Sequence, residues 1–317
     1  MYQNNLKIYQ APLQGLTDFN FRNILAETFG GIDKYFVPYL SFGKRREIKR
    51  SHLREILPEN NSELATVPQI LFSDYGELND LVEVIFQYGY SEINLNLGCP
   101  YPMVTNKGRG SALLLNAEKL DEILNQLFSR FTSIRFSVKM RAGMNDDHDF
   151  VKIFEVLADY PLEELIFHPR TAAQMYNGKT KPELFAEAMF LSKHSLVYNG
   201  DIVSASGFQE LGTKFPEQMN WMIGRGLLAN PALAMQLRGE VFPENTLREK
   251  LRNFHDRLFE AYSLRLEGSG HILQRMNQFW AYFSESFSDP HKVMKLIKKS
   301  GNLQKYNAAV SEIFNRF

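Results

Sequence analysis

Short runs in which apolar residues alternate or cluster recur along the chain: LKIYQAPL (6–13), KYFVPYL (34–40), ATVPQILF (65–72), EINLNLG (92–98), IRFSVKMR (134–141), EELIFHP (163–169), SLVYNGD (195–201) and NWMIGRG (220–226). Each has the length and the bounding turn residues of a strand. Between them lie amphipathic stretches such as GELNDLVEVIFQYG (76–89) and NAEKLDEILNQLFSRF (116–131), the second opened by Asn116 as N-cap. Strands alternating with helices predict parallel pairing through right-handed crossovers. Eight such units in about 240 residues fit a (β/α)8 TIM barrel of the α/β class, with a doubly wound open sheet as the alternative.

After Pro231 the period becomes helical throughout. Leu247, Leu251, Phe254, Leu258 and Phe259 fall on one helix face, and Met276, Phe279, Trp280 and Phe283 on another. Core packing is the ordinary use of such positions. The expected division is a barrel domain over 1–239 and a small C-terminal helical bundle domain over 240–317.

Composition changes this picture in two ways. The single cysteine, Cys99, cannot form an intrachain disulfide, and MYQNNLKIYQ lacks a charged-then-apolar leader pattern, so the expected compartment is the cytoplasm. No apolar run approaches the roughly 18 residues of a membrane span, so no membrane partner is expected. Net charge is formally zero, yet residues 238–317 hold thirteen Lys and Arg against nine Asp and Glu, a net of +4. The stretch GKRREIKRSHLRE (43–55) adds Lys44, Arg45, Arg46, Lys49 and Arg50. Both stretches could grip a polyanion or simply be solvated helix faces.

In such a barrel the chemistry sits at the C-terminal ends of the strands. The fifth run puts Phe136, Val138 and Met140 on one face and Ser137, Lys139 and Arg141 on the other. Two cations aimed into a barrel mouth call for an anion between them, either a ligand or acidic side chains of neighbouring strands. Asn199-Gly200-Asp201 and Gly224-Arg225-Gly226 close the last two runs, where barrels of this kind usually bind phosphate. Cys99 stands at the tip of the fourth run, before Pro100 and Pro102 and the glycines Gly108 and Gly110. That position favours a reactive thiol, nucleophile or proton donor, over a buried filler. The GRGS piece lacks the spacing of a dinucleotide loop. No metal-ligand cluster is expected.

These residues resemble the tRNA-dihydrouridine synthase family. Its motifs occur in order as Ala11-Pro12-Leu13-Gln14-Gly15, Asn96-Leu97-Gly98-Cys99-Pro100, Val138-Lys139-Met140-Arg141, His168-Pro169-Arg170-Thr171, Asn199-Gly200-Asp201 and Ile223-Gly224-Arg225-Gly226. The segment Arg275-Met276-x-x-Phe279-Trp280 is most like the bacterial C-type branch, with the B-type branch left open. The resemblance implies tightly bound FMN, NADPH as reductant, and reduction of a uridine in the tRNA D-loop to 5,6-dihydrouridine by a monomer. In that setting Pro12, Leu13 and Gln14 would hold the flavin edge, with Gln69, Lys139 and His168 also at the ring. Asn199, Gly200, Asp201, Gly224 and Arg225 would take its phosphate and ribityl chain.

The resemblance also implies that Cys99 is the general acid at C5 of the uracil, and that Asn96 and Arg141 lie nearest the base. The target uridine would be turned out of its loop, and the helical tail would bind the tRNA. Three departures from the family pattern stand out: Leu13-Gln14 in place of Met-Ala, Pro169 in place of glycine, and Tyr101, Pro102 and Met103 where lysines are common. Competing functions are a flavin barrel reductase of a free small molecule of dihydroorotate or enone type, an aldolase with a Schiff base on Lys139, and a tRNA-binding module without activity.

Overall fold

The computed structural model describes residues 5–43, 45–61 and 63–316. Lys44, one of the basic residues named above, lies outside the described residues, as do residues 1–4 of the leader argument and the last residue of the tail. Nine strands, β1 (Lys7–Gln10), β2 (Lys34–Phe36), β3 (Thr66–Val67), β4 (Gln69–Ile70), β5 (Glu92–Leu97), β6 (Arg135–Gly143), β7 (Leu165–Thr171), β8 (Leu196–Asn199) and β9 (Asn220–Ile223), run in the order β3-β2-β1-β9-β8-β7-β6-β5-β4. All pairings between them are parallel.

The expected barrel is therefore present, with one refinement. The third expected strand is two short ones, because Pro68 has no N–H for the ladder. On one side of it Tyr35 and Phe36 pair with Thr66 and Val67; on the other Gln69 and Ile70 pair with Asn94 and Leu95. The Pro68 carbonyl still accepts from Asn94 N–H (2.8 Å), and the ring closes through the chain itself at this point.

Strand alternation sorts the side chains. Ile93, Leu95, Leu97, Phe136, Val138 and Met140 join the large core beneath the helices. Tyr9, Phe36, Val67, Ile166, Val197 and Met222 form a separate cluster inside the ring. The N-terminal end of the interior is closed by charge: Lys34 Nζ reaches Glu92 (2.7 Å) and Glu164 (3.3 Å), and Tyr9 donates to Glu164 (3.0 Å). The opposite end is left to the site.

Helix starts follow their caps. Asp18, Asp74 and Asn116 accept from Phe21, Glu77 and Lys119 N–H respectively, opening helices Phe19–Thr28, Tyr75–Gln87 and Ala117–Arg130. The last of these buries Leu120, Ile123, Leu124 and Leu127.

Four longer helices, Glu244–Arg265, Ser269–Phe283, Pro290–Lys298 and Leu303–Arg316, form the C-terminal region. The aromatics expected as core are core: Phe254 meets Phe21 edge-on at 5.7 Å, and Trp280 Nε1 donates to the Tyr306 hydroxyl at 2.8 Å. A buried carboxylate ties this region to the barrel. Asp18 takes the Tyr262 hydroxyl (3.1 Å), Arg265 (2.8 Å) and Arg275 in addition to its capping bond.

Other guanidiniums of the tail are paired too, Arg257 with Glu27 and Arg238 with Asp33 of the barrel, and Arg252 with Asp256 on its own helix. Its free positive charge rests on lysines. Lys295, Lys298, Lys299 and Lys305 are exposed and have no ion pair among the described residues. Among the described residues no helix is long and apolar enough to cross a membrane.

Candidate active site

At the C-terminal end of the ring lies a cleft enclosing about 1100 Å³, counting the part open to solvent. Every site residue expected from the sequence lines it: Pro12, Leu13 and Gln14 after β1, Gln69 on β4, Asn96 and Cys99 at the end of β5, Lys139 and Arg141 on β6, His168 on β7, Asn199, Gly200 and Asp201 at the end of β8, and Gly224 and Arg225 after β9.

Cys99 is fixed from both sides. The Asn96 side-chain oxygen accepts from Gly98 N–H (3.1 Å) and Cys99 N–H (2.9 Å), and the Cys99 carbonyl accepts from the Ser111 hydroxyl (3.0 Å) and Ser111 N–H (3.2 Å). The close approach of this second segment requires Gly110, which has φ +60; a Cβ there would stand 2.8 Å from the Cys99 carbonyl oxygen. Burial pushes the thiol pKa above its ordinary value, only partly offset by the Tyr101 N–H, Arg141, Tyr39 and Lys139. The thiol is therefore protonated at neutral pH.

Behind it an amide chain crosses three strands. Asn96 Nδ2 donates to Gln69 Oε1 (2.7 Å), Gln69 Nε2 to Asn94 Oδ1 (2.7 Å), and Asn94 Nδ2 to the Ser137 hydroxyl (2.8 Å). The Asn96 oxygen thus serves the loop backbone, which makes it a support of the thiol.

The two cations of β6 fare differently. Arg141 donates to the carbonyls of Gly98 (3.1 Å), Thr171 (2.8 Å) and Met175 (2.7 Å), so it needs no anion. It locks the loops after β5 and β7 together. The Lys139 amine has no hydrogen bond or ion pair among the described residues. Burial, and then the charge of Arg141, lower its pKa to about 7. Acidic partners from neighbouring strands, one of the two explanations above, are absent for both among the described residues. One unanswered cation remains in the cleft.

His168 is buried and held neutral. Its pKa is pushed well down by burial and by Arg141, Lys139, Arg170 and Arg225. Arg170 Nη1 lies 3.3 Å from His168 Nε2, so that nitrogen accepts and the ring proton sits on Nδ1. Arg170 also grips Asp201 with two bonds (2.9 and 2.7 Å), and Arg225 reaches the same carboxylate at 2.9 Å. Thr180 N–H adds a fourth bond at 3.1 Å. Burial raises the pKa of Asp201, but these donors outweigh it and keep the group ionised. Asp201 therefore acts on the cleft by orienting Arg225.

The first loop also differs in detail. The Leu13 N–H is bonded to the Thr17 hydroxyl (2.8 Å), and its carbonyl accepts from Leu16 and Thr17 N–H (2.9 and 3.1 Å). Pro12 and Leu13 thus offer apolar surface. Gln14 is exposed on the rim, its amide 3.5 Å from His52.

Sequence reasoning missed an aromatic rim. Tyr39, Tyr101, Tyr176 and Tyr282 line the cleft from four separate segments, the last from the C-terminal helices. The Tyr176 ring lies between the guanidiniums of Arg141 (5.3 Å) and Arg225 (4.6 Å). No motif marks Tyr39 or Tyr176; Tyr101 was noted only as a departure after Cys99-Pro100, and Tyr282 is an aromatic on the less buried side of its helix.

The family model for dihydrouridine synthase (Dus) matches residues 9–313. The chain is 26% identical over 294 residues to tRNA-dihydrouridine synthase B of Salmonella typhimurium, covering 91% of this chain and 90% of that protein. It is 27% identical over 238 residues to tRNA-dihydrouridine(16) synthase of Cupriavidus necator, covering 74% of each. Among solved structures, morphinone reductase superposes with a TM-score of 0.53 at 13% identity over 76% of this chain and 88% of that one. A 2-naphthoyl-CoA reductase complex gives 0.54 at 12% identity over 75% of this chain, which spans about half (52%) of that one. These two likenesses are of fold alone.

Proposed function

The chain belongs to the dihydrouridine synthase family, and from that premise we propose that it reduces a uridine of the tRNA D-loop to 5,6-dihydrouridine, with FMN bound in the cleft and NADPH as reductant. The observation that carries this reading is the pairing, in one cleft, of a protonated thiol with a cation that has no partner of its own.

The donor set fits an anionic planar cofactor. Lys139 supplies the unanswered charge, His168 offers its Nδ1 proton, and Arg225 is aimed by Asp201 beside the glycines Gly200 and Gly224. At Gly200 a Cβ would stand 2.5 Å from the Thr180 methyl, so this cradle tolerates no side chain there. FMN, when bound, supplies the hydride that reaches C6 of the uracil.

The residues of this chain do the rest. Cys99 gives its proton to C5; a donor must begin protonated, and burial keeps the thiol so. Asn96 and Ser111 hold the thiol's loop in place, and Arg141 fixes that loop to the one after β7. Gln69 extends the support to β4 and presents its amide at the cleft wall. Tyr101, Tyr176 and Tyr282 offer flat faces to a base turned out of its stack.

Residues 1–239 form the catalytic domain in this proposal and residues 240–317 the tRNA-binding one. The exposed lysines of the last two helices and Arg45, Lys49 and Arg50 meet the RNA backbone. The protein works as a monomer in the cytoplasm.

The test is anaerobic turnover with NADPH on an unmodified tRNA transcript, with free uracil and a simple enone as competitors. Dihydrouridine in the tRNA, found by mass spectrometry of the digested nucleosides, is expected. Equal or faster reduction of the small molecules overturns the RNA assignment.

A further inference from the structure

Beside the cleft lies a second pocket of about 800 Å³, counting the part open to solvent, where the C-terminal helices meet the barrel. Gln14 lines both cavities, which makes them neighbours. His52 and Arg54 stand on the barrel side of the pocket, Arg265 and Arg275 on the side of the tail.

Its two carboxylates are already answered. Asp18 takes Phe21 N–H, the Tyr262 hydroxyl and both tail arginines, and Glu55 takes Phe19 N–H (2.8 Å) and Arg22 (3.0 Å). With Arg22 included, four guanidiniums stand against two carboxylates, a net of +2.

Donors are left over. The exposed Arg54 guanidinium has no hydrogen bond or ion pair among the described residues, and Arg265 makes a single hydrogen bond there, to Asp18 (2.8 Å). Arg275 Nε and His52 Nδ1 are buried with no partner among the described residues. The Gln14 amide nitrogen lies 3.5 Å from His52 Nε2; an amide nitrogen can only donate, so the ring proton sits on Nδ1. All four groups therefore present N–H.

We propose that this pocket is a phosphate subsite, in which His52, Arg54, Arg265 and Arg275 hold a phosphate group of a substrate whose reacting end lies in the cleft. The inference rests on the reading of that cleft as a tRNA reductase. Both substrates of the reaction carry phosphate, NADPH on its ribose and in its pyrophosphate, the tRNA along its backbone. A phosphate oxygen accepts charge-assisted bonds, which matches a wall of donors, and its charge answers the excess of guanidiniums. Lys49 and Arg50, exposed on the same basic stretch, draw an anion towards the mouth. Burial and the charge of Lys49 keep the His52 pKa below its ordinary value, so at neutral pH the ring donates without adding charge.

The test uses FMN-loaded protein and the variants Arg54→Gln and His52→Ala, which leave the Asp18 contacts between barrel and tail intact. Rapid anaerobic bleaching of the flavin by NADPH and by NADH gives a Kd and a limiting rate for each. Filter binding of unmodified tRNA over a range of salt gives its Kd and salt slope. A Kd for NADPH raised about fivefold or more, with limiting rate and NADH unchanged, places the ribose phosphate in the pocket; an equal rise for both nucleotides places the pyrophosphate there. A weaker tRNA complex, with the salt slope lowered by about one in Arg54→Gln and both nucleotides unchanged, places a backbone phosphate there. Arg54→Lys, which keeps the charge, should recover most of whichever affinity is lost.

All three Kd values within about twofold of wild type in both variants overturn the subsite, and so does a fall in limiting rate at unchanged Kd. Wild type that neither bleaches with NADPH nor binds tRNA removes the reductase reading, and the subsite with it. An active wild type beside unaffected variants removes the subsite alone.

Discussion

Lys139 supplies the prediction that separates this cleft from an ordinary barrel interior. Replacement by methionine keeps an unbranched side chain, one atom shorter, and deletes its charge. Moving an amine from 10.5 to about 7 corresponds to about 4.8 kcal/mol, taking 1.36 kcal/mol per tenfold change. The cleft is open to solvent, which screens the charge, so a realistic penalty is about 2 kcal/mol.

The penalty has a defined pH window. Below pH 7 the lysine is charged in both folded and unfolded chains and the full cost is present. As pH rises from 7 towards 10.5 the folded form is already neutral while the unfolded form loses its proton, so the cost fades. In cofactor-free protein, Lys139→Met should therefore be more stable than wild type by about 2 kcal/mol at pH 6.5. This is a gain of about 0.5 M in urea midpoint, shrinking to near zero by pH 10. With FMN added the order should reverse, because wild type regains an anionic partner. Equal midpoints at pH 6.5, or a wild type more stable without FMN, would refute the reasoning.

Other consequences are as sharp. Cys99→Ala should lower kcat by about a hundredfold or more while leaving tRNA affinity within twofold, measured by single-turnover kinetics and filter binding. Asn96→Ala removes the acceptor for two backbone N–H groups and breaks the chain to Gln69; a loss of about 1 to 3 kcal/mol by urea unfolding is expected, with reduced kcat. Asp18→Ala strands Arg265 and Arg275 at the junction of barrel and tail and should cost about 3 to 5 kcal/mol. Burial raises the pKa of Asp18, but Arg275 and Arg265 outweigh it and hold the carboxyl below its ordinary value. Its contribution is thus present above about pH 4 and lost as pH falls further. Acid titration of wild type against Asp18→Asn checks the sign.

Much of this molecule is legible in its sequence because the signals are local. Eight short runs in which apolar residues alternate or cluster located the strands, one run holding two of them, and Asn116 marked a helix start that the structure reproduces. Pro68 was visible, yet its effect depends on β2 and β5 pairing on opposite sides of it, which are distant in sequence. The strand-end residues were legible because strand ends converge in a barrel. Their individual partners were not, since Arg141 finds carbonyls on a loop about thirty residues away. Asp201 was expected at a phosphate and is found holding two arginines, a pairing that needs the fold. The basic tail was counted correctly, but a count cannot tell that Arg257, Arg265 and Arg275 are engaged with the barrel while Lys295, Lys298, Lys299 and Lys305 have no ion pair among the described residues. Tyr39 and Tyr176 had no signal because aromatics in loops look like any other half-buried residue.

The proposal that this cleft holds a flavin and reduces tRNA can be tested directly. The most direct measurement is the visible spectrum of the purified protein, taken anaerobically before NADPH, after NADPH, and after unmodified tRNA is added. Flavin bands that bleach with NADPH and return with tRNA are the predicted result. Bands that return only with a free small molecule, or no flavin even when FMN is supplied, would contradict it.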